Sequence, residues 1–95
     1  MTTVADALLD QLAEFGVTVC FGIPGVHNLP FWQGAGQAGR PRIVGVRHEQ
    51  AATYAADALA RATGGLGAAL TTTGPGFVNA LTGFGEAWAS FSPVL

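Results

Sequence analysis

The chain has no lysine, and only 11% of its 95 residues are charged, against about 25% in an ordinary soluble domain. Its four cations are Arg40, Arg42, Arg47 and Arg61. Three of them fall in one loop-strand region, too few for a nucleic-acid footprint. Surface solvation accounts for Arg40 and Arg42, while Arg47 is available to an anionic ligand. Cys20 is the single cysteine, so no intrachain disulfide can form and a reducing compartment fits. His27 and His48 lack a ligand spacing such as H-x-x-x-H and have no cysteine pair beside them, which argues against a metal site. No apolar run reaches the roughly 18 residues of a membrane span. No Lys or Arg precedes the leucine-rich start, unlike a signal peptide. The expectation is a cytoplasmic protein with neither a membrane nor a nucleic-acid partner.

What the chain does have is apolar surface. It is 49% hydrophobic, with a mean hydropathy of +0.40 in 9.7 kDa, although a chain of this size can bury only a modest fraction of its surface. Much of that surface is therefore expected to face another domain or subunit. Ser92-Pro93-Val94-Leu95 reads as the opening of a further apolar strand without the elements that would close it. On this basis the chain is read as the N-terminal part of something longer.

Periodicity organises the rest. Val4, Leu8, Leu12 and Phe15 keep helical spacing, Thr3-Val4-Ala5-Asp6 fits a capping-box start, and Gly16 suits the left-handed stop. Val17 to Phe21 reads as a strand that breaks at Gly22 and Pro24. A short helix is predicted near Leu29, capped by Asn28 with Pro30 in its first turn, and a strand over Arg42 to Val46. Gln50 to Ala62 reads as a helix whose buried face is mostly alanine: Ala51, Ala52, Ala55, Ala58, Leu59 and Ala62. Leu66 to Thr72 gives a third strand. Pro75 opens a helix carrying Leu81, Phe84, Trp88 and Phe91, and Pro93-Val94-Leu95 begins a fourth strand. This alternation is the βαβ signature of an α/β, doubly wound, flavodoxin-like parallel sheet, here truncated after about three and a half βα units.

Three strand ends carry the candidate chemistry, because the carboxyl ends of parallel strands form the ligand crevice of such sheets. The first is Phe21-Gly22-Ile23-Pro24-Gly25, the second Arg47-His48-Glu49-Gln50-Ala51-Ala52, and the third Thr72-Thr73-Gly74-Pro75-Gly76-Phe77-Val78-Asn79. A lone first-turn Glu is explained by the helix macrodipole, worth roughly 0.3–1 kcal/mol. Glu49, however, stands at a strand end among Ala and Gly, which leaves room for a flat ligand. There a carboxyl can share a proton with a heteroaromatic nitrogen. Gly74-Pro75-Gly76 serves equally as a plain turn or as a backbone that a ligand can approach, with Thr72, Thr73 or Asn79 supplying hydrogen bonds. His27 either lines the same pocket or is simply an exposed loop residue. Gly34-Ala35-Gly36-Gln37-Ala38-Gly39 matches G-x-G-x-x-G literally, but it precedes a strand instead of opening a helix and is read as a loop. Cys20 sits mid-strand, where a free cysteine packs as a small apolar group.

The strand-end motifs, together with Ala56-Asp57 and Ala60-Arg61-Ala62-Thr63-Gly64, occur in this order in thiamine-diphosphate-dependent enzymes. The chain resembles those of the acetolactate synthase and 2-oxo-acid decarboxylase type over nearly all of residues 1–95. The resemblance covers about the first half of their N-terminal pyrimidine-binding domain, so the domain is incomplete at its C-terminal end. It implies that the Glu49 carboxyl is catalytic: it hydrogen-bonds the aminopyrimidine ring nitrogen of thiamine diphosphate and favours the imino tautomer that takes the thiazolium proton. It implies that Pro24, Gly25, Pro75 and Asn79 shape or support the cofactor pocket, with Thr72 a further contact. It also implies a 2-oxo-acid substrate and Mg²⁺ held with the diphosphate by a C-terminal domain of a neighbouring subunit, in a homodimer or homotetramer. FAD is left open in the parent enzyme. The expected function is thiamine diphosphate binding within an acetolactate synthase-like enzyme. The alternatives are a 2-oxo-acid decarboxylase of benzoylformate or guanidino-oxo-acid type, or a non-catalytic remnant domain. Thr71, Thr72 and Thr73 stand where benzoylformate decarboxylases tend to place a histidine, and Ala58-Leu59 replaces the family's common Gly-Tyr. The isolated 95 residues are expected to be inactive, unstable or both.

Overall fold

A computed structural model of the chain describes residues 2–95. Helix α1 spans Val4–Glu14. Thr3 and Asp6 form the expected capping box: Asp6 N donates to Thr3 Oγ1 at 3.0 Å, and Thr3 N donates to Asp6 Oδ2 at 2.9 Å. Gly16, at φ 82°, turns the chain out of the helix. Strand β1 (Val19–Gly22) leads through a single 3₁₀ turn at Val26–Asn28 into α2 (Leu29–Gly34). Then follow β2 (Arg42–Gly45), α3 (Glu49–Thr63), β3 (Ala69–Leu70) and α4 (Pro75–Ala89).

All strand pairs are parallel, in the order β2-β1-β3, with Val19 opposite Arg42 and Phe21 opposite Ala69. Val94 bridges Gly67 in parallel beyond β3, where Gly67 N donates to Pro93 O and Leu95 N donates to Gly67 O, each at 2.9 Å. The expected fourth strand thus begins on the outer side of β3, and the order 2-1-3-4 is that of a flavodoxin-like sheet. The core centres on Val17, Cys20 and Ala68, with Leu12, Ile43 and Leu66 packed against them. Burial pushes the Cys20 thiol up to about 11, as expected for a cysteine acting as an apolar side chain.

Helix α3 lies closely against α4, but not on the face expected. The buried residues of α3 are Glu49, Ala52, Thr53, Ala56, Asp57 and Ala60, whereas Ala51, Ala58 and Ala62 are exposed. The opposing residues of α4 are Gly76, Ala80, Gly83 and Ala87. Of the large residues expected on this helix, Leu81 and Trp88 face outward and Phe91 lies past its end, with Trp88 85% and Phe91 95% exposed. The reason is steric. A Cβ at Gly83 would strike Thr53 Oγ1 and stand 3.0 Å from Tyr54 N, so the helices touch through their smallest residues and no bulky side chain fits between them. Thr53, fully buried, donates from its hydroxyl to Ala80 O at 3.0 Å across the seam. Buried Asp57 takes a bidentate pair of bonds from Arg61, both 2.8 Å, and Arg61 Nη2 reaches on to Glu86 Oε1 at 3.1 Å.

Arg40 is also corrected. It is not a solvated loop residue: its guanidinium donates to Asp6 Oδ1 and Asp10 Oδ1, both at 2.6 Å, and ties the end of the glycine-rich segment to α1. Gly34 is the last residue of α2, where a Cβ would stand 2.8 Å from Asp6 Oδ1. The literal G-x-G-x-x-G is thus a helix end followed by turns, with Gly36 and Gly39 at positive φ.

Candidate functional site

The three strand ends meet as expected, and small residues decide how. β1 ends on Gly22, where a Cβ would run into the Leu70 carbonyl of β3. The turn that follows is locked by Asn28, which is 3% exposed. Its Nδ2 donates to Ile23 O at 3.0 Å and its Oδ1 accepts from Gly25 N at 2.7 Å. Asn28 was expected to cap α2; its side chain instead folds back on the preceding turn and gives α2 no cap. β3 leads into Thr71-Thr72-Thr73 and then Gly74, at φ 66°, with Pro75 opening α4 as expected.

Thr72 is wedged between two glycines. A Cβ on Gly25 would strike the Thr72 hydroxyl, and one on Gly76 would stand 2.9 Å from Thr72 Cγ2 and 3.2 Å from Glu49 Oε2. Gly25, Thr72, Gly76 and Glu49 therefore line one crease, with no Cβ on two of its walls. Glu49 is the first residue of α3, and the side chain of His48 caps that helix, its Nδ1 accepting from Gln50 N at 3.0 Å. The Glu49 residue is 9% exposed. Its Oε1 accepts from Asn79 Nδ2 at 3.3 Å, and among the described residues no salt bridge includes it. On the rim, His27 Nδ1 lies 2.9 Å from Thr73 Oγ1.

Of the six cofactor-binding candidates, Gly25, Glu49, Thr72 and Asn79 come together here. Pro24 and Pro75 are exposed and shape the turns. Gly76, Asn28 and the capping role of His48 were missed. Gly76 had a signal in the Gly-Pro-Gly turn, because the second helical position of α4 points back at the α3 start; the other two depend on side-chain directions that a motif does not encode. The apolar cleft of about 340 Å³ lined by Leu8, Leu12, Phe15, Cys20, Leu70 and Leu95 contains none of these residues. It lies apart from the crease. Among the described residues no group of three or more His, Cys, Asp or Glu is placed to hold a metal ion, and no helix is long and apolar enough to cross a membrane.

A buried carboxyl with one oxygen held by an amide and the other over a glycine wall suits a flat heteroaromatic ring that offers a nitrogen. The crease thus fits an aminopyrimidine. Residues 2–95 match the family described as thiamine pyrophosphate enzyme, N-terminal TPP binding domain. The chain is 47% identical to an acetolactate synthase of Arthrospira platensis, over 98% of this chain and 17% of the relative. It is 42% identical to a probable 2-ketoarginine decarboxylase of Pseudomonas aeruginosa, over 98% of this chain and 16% of that protein. A probable acetolactate synthase large subunit of Methanocaldococcus jannaschii is 43% identical over 96% of this chain and 15% of its own length. The chain thus spans about one sixth of these relatives.

Proposed function

The chain belongs to the family of thiamine pyrophosphate enzyme N-terminal TPP binding domains, and from that membership we propose that it holds the aminopyrimidine of thiamine diphosphate in the Glu49 crease of an acetolactate synthase-like enzyme acting on 2-oxo acids. The observation that carries this reading is the Glu49 carboxyl, anchored through Oε1 by Asn79 and directed through Oε2 over Gly76. Glu49 holds or moves one proton at the ring nitrogen. Asn79 fixes the carboxyl's rotation, since the amide can donate only to the oxygen it faces. Gly25 and Gly76 leave the walls open for the ring, and the Pro24 and Pro75 turns keep those walls in place. Thr72 closes the floor between them. When bound, the cofactor supplies a carbon nucleophile and an electron sink for cleaving the bond to the carboxylate. Its diphosphate and Mg²⁺ belong to parts of the enzyme outside these 95 residues, contributed by a further domain and a second subunit, and FAD remains an open addition. The closeness to a probable 2-ketoarginine decarboxylase favours, as a second reading within the same chemistry, decarboxylation without carboligation.

Glu49→Gln in the full-length protein that carries this chain tests the role. The amide keeps the shape but cannot exchange the proton, so cofactor-dependent turnover of a 2-oxo acid is expected to fall by ~10²–10⁴, the usual range for a general acid–base group. Unchanged turnover would refute the assignment.

A further inference from the structure

We propose that His27 is a second proton-transferring group of this site, serving the carbonyl oxygen of the 2-oxo acid through Nε2, an assignment that rests on the Glu49 crease being the cofactor site. The observation is the tether between His27 Nδ1 and Thr73 Oγ1, 2.9 Å long and joining residues 46 positions apart. It links the loop after β1 to the loop after β3. Each partner adjoins a crease residue: His27 follows Gly25 by two positions, and Thr73 follows Thr72 directly. The ring therefore stands on the rim of the crease that Glu49 occupies.

Its backbone is fixed as well. His27 is the middle residue of the 3₁₀ turn Val26–Asn28. That turn is closed by Asn28 N donating to Gly25 O at 3.0 Å, and by the two bonds of the buried Asn28 side chain. A side chain on a rigid turn, tied at one ring nitrogen, presents its other nitrogen in a defined direction. His27 itself is exposed, as is Val26 at 80%, and among the described residues its one side-chain hydrogen bond is the tether at Nδ1.

The choice of a hydroxyl as tether matters. A backbone carbonyl would accept only from Nδ1–H and would fix one tautomer. A threonine hydroxyl both accepts and donates. It accepts from Nδ1–H when the ring is an imidazolium or the Nδ1–H tautomer, and it turns to donate when the proton sits on Nε2 alone. His27 therefore keeps its position through every protonation state. A ring that gives up its Nε2 proton and takes it back passes between the imidazolium and the Nδ1–H tautomer, and the tether stays made in both.

The other ionisable side chains at the strand ends are committed or differently placed. His48 Nδ1 accepts from Gln50 N in capping α3, so its ring cannot carry a proton on both nitrogens without losing that bond; Oε1 of Glu49 is held by Asn79, and Arg47 has no proton to exchange. The step is a simple proton balance. Were the bound cofactor to supply its carbon nucleophile to the carbonyl carbon of the 2-oxo acid, the C=O π pair would move to oxygen. That oxygen takes the proton from Nε2–H, and the imidazolium becomes neutral imidazole. When the C=O bond is re-formed in the product, the same nitrogen takes the proton back.

The test uses the full-length protein that carries this chain. His27→Ala is expected to lower kcat/KM for the 2-oxo acid by ~10²–10⁴, as for other acid–base groups. Its affinity for thiamine diphosphate, measured by calorimetry, is expected to stay unchanged. Added imidazole should restore part of the lost turnover to His27→Ala and none to Glu49→Gln. Thr73→Ser should keep activity, whereas Thr73→Val, which keeps the shape and loses the hydroxyl, should lower kcat. A loss of less than about threefold in His27→Ala, far short of an acid–base contribution, would overturn the proposal. So would a loss that imidazole does not repair. If His27→Ala does not fold, Thr73→Val decides, and full kcat in that variant overturns the proposal. If Glu49→Gln retains turnover, the cofactor-site reading itself has failed; if Glu49→Gln collapses while His27→Ala does not, only the role of His27 is lost.

Discussion

Two glycines on α4, Gly83 and Gly85, two residues apart and so on different sides of the helix, allow the α3–α4 seam to be measured. At Gly85 an added Cβ meets nothing within 4 Å. Gly85→Ala should therefore gain only the helix propensity difference, about 0.8–1 kcal/mol. At Gly83 the same methyl would overlap Thr53 Oγ1 and stand 2.5 Å from Thr53 Cβ and 3.0 Å from Tyr54 N. Two of those obstacles are rigid, the backbone nitrogen and a Cβ fixed to the helix, and Thr53 is fully buried. The strain cannot be relieved by a rotamer change; α3 and α4 must separate. Overpacking of this kind costs about 1–3 kcal/mol, which overtakes the propensity gain at the upper end and cancels it at the lower. The two variants should therefore differ by about 1–3 kcal/mol, with Gly83→Ala the less stable. Urea unfolding followed by far-ultraviolet circular dichroism reads the difference as a shift in midpoint at constant slope. Adding Thr53→Ala to Gly83→Ala should narrow the gap, because it removes the hydroxyl that the methyl strikes. Equal midpoints for Gly83→Ala and Gly85→Ala would refute the packing argument.

Two further outcomes concern titration. Asp6, Asp10 and Asp57 are held below the ordinary carboxylate value of 3.8, Asp6 first by the Thr3 amide and then by Arg40, Asp10 by Arg40 and Asp57 by Arg61. Their contribution is complete above the ordinary value and is lost as pH falls through the lowered one. The urea midpoint should thus be insensitive to these groups above about pH 5 and should drop below about pH 4; a midpoint that holds steady down to about pH 2 would contradict the pairing. Cys20, buried and raised to about 11, should react with a thiol reagent far more slowly in the native chain than in urea, because thiolate is scarce and shielded; equal rates in both would mean that the core around Val17 and Ala68 is open.

Much of this arrangement was legible in the sequence. Gly and Pro punctuation marked each strand end, and the capping box and the Gly16 stop were placed correctly. Three strand ends with an acid at the middle one sufficed to find the crease, and Gly25, Glu49, Thr72 and Asn79 meet there. Other features were not legible, for distinct physical reasons. Alanine occurs on every side of α3, so periodicity had no contrast by which to choose its inner face, and buried Thr53 and Asp57 look like surface residues until their partners Ala80 O and Arg61 are known. On α4 the closest packing selects the smallest side chains and turns Trp88 outward, a choice that the spacing of its large apolar residues does not report. The Arg40 pairs with Asp6 and Asp10 join residues 34 and 30 positions apart, a separation that no local pattern reports. Asn28 had the right type for a cap, and the choice between capping forward and bonding backward depended on the Gly25 turn.

The seam between α3 and α4 also acts as a ruler. Glu49 begins one helix, Asn79 lies in the first turns of the other, and their bond of 3.3 Å is only as long as the two axes allow. Because the α4 residues along the seam are Gly and Ala, almost nothing on that helix can be trimmed, and nearly every substitution there adds a spacer. Changes about one and two turns away, at Gly83 or Ala87, would then act in one direction on the crease, lengthening the link that orients the carboxyl. In such a pair of helices the alignment of the acid drifts only outward, and a variant regains it by removing volume from the opposite helix.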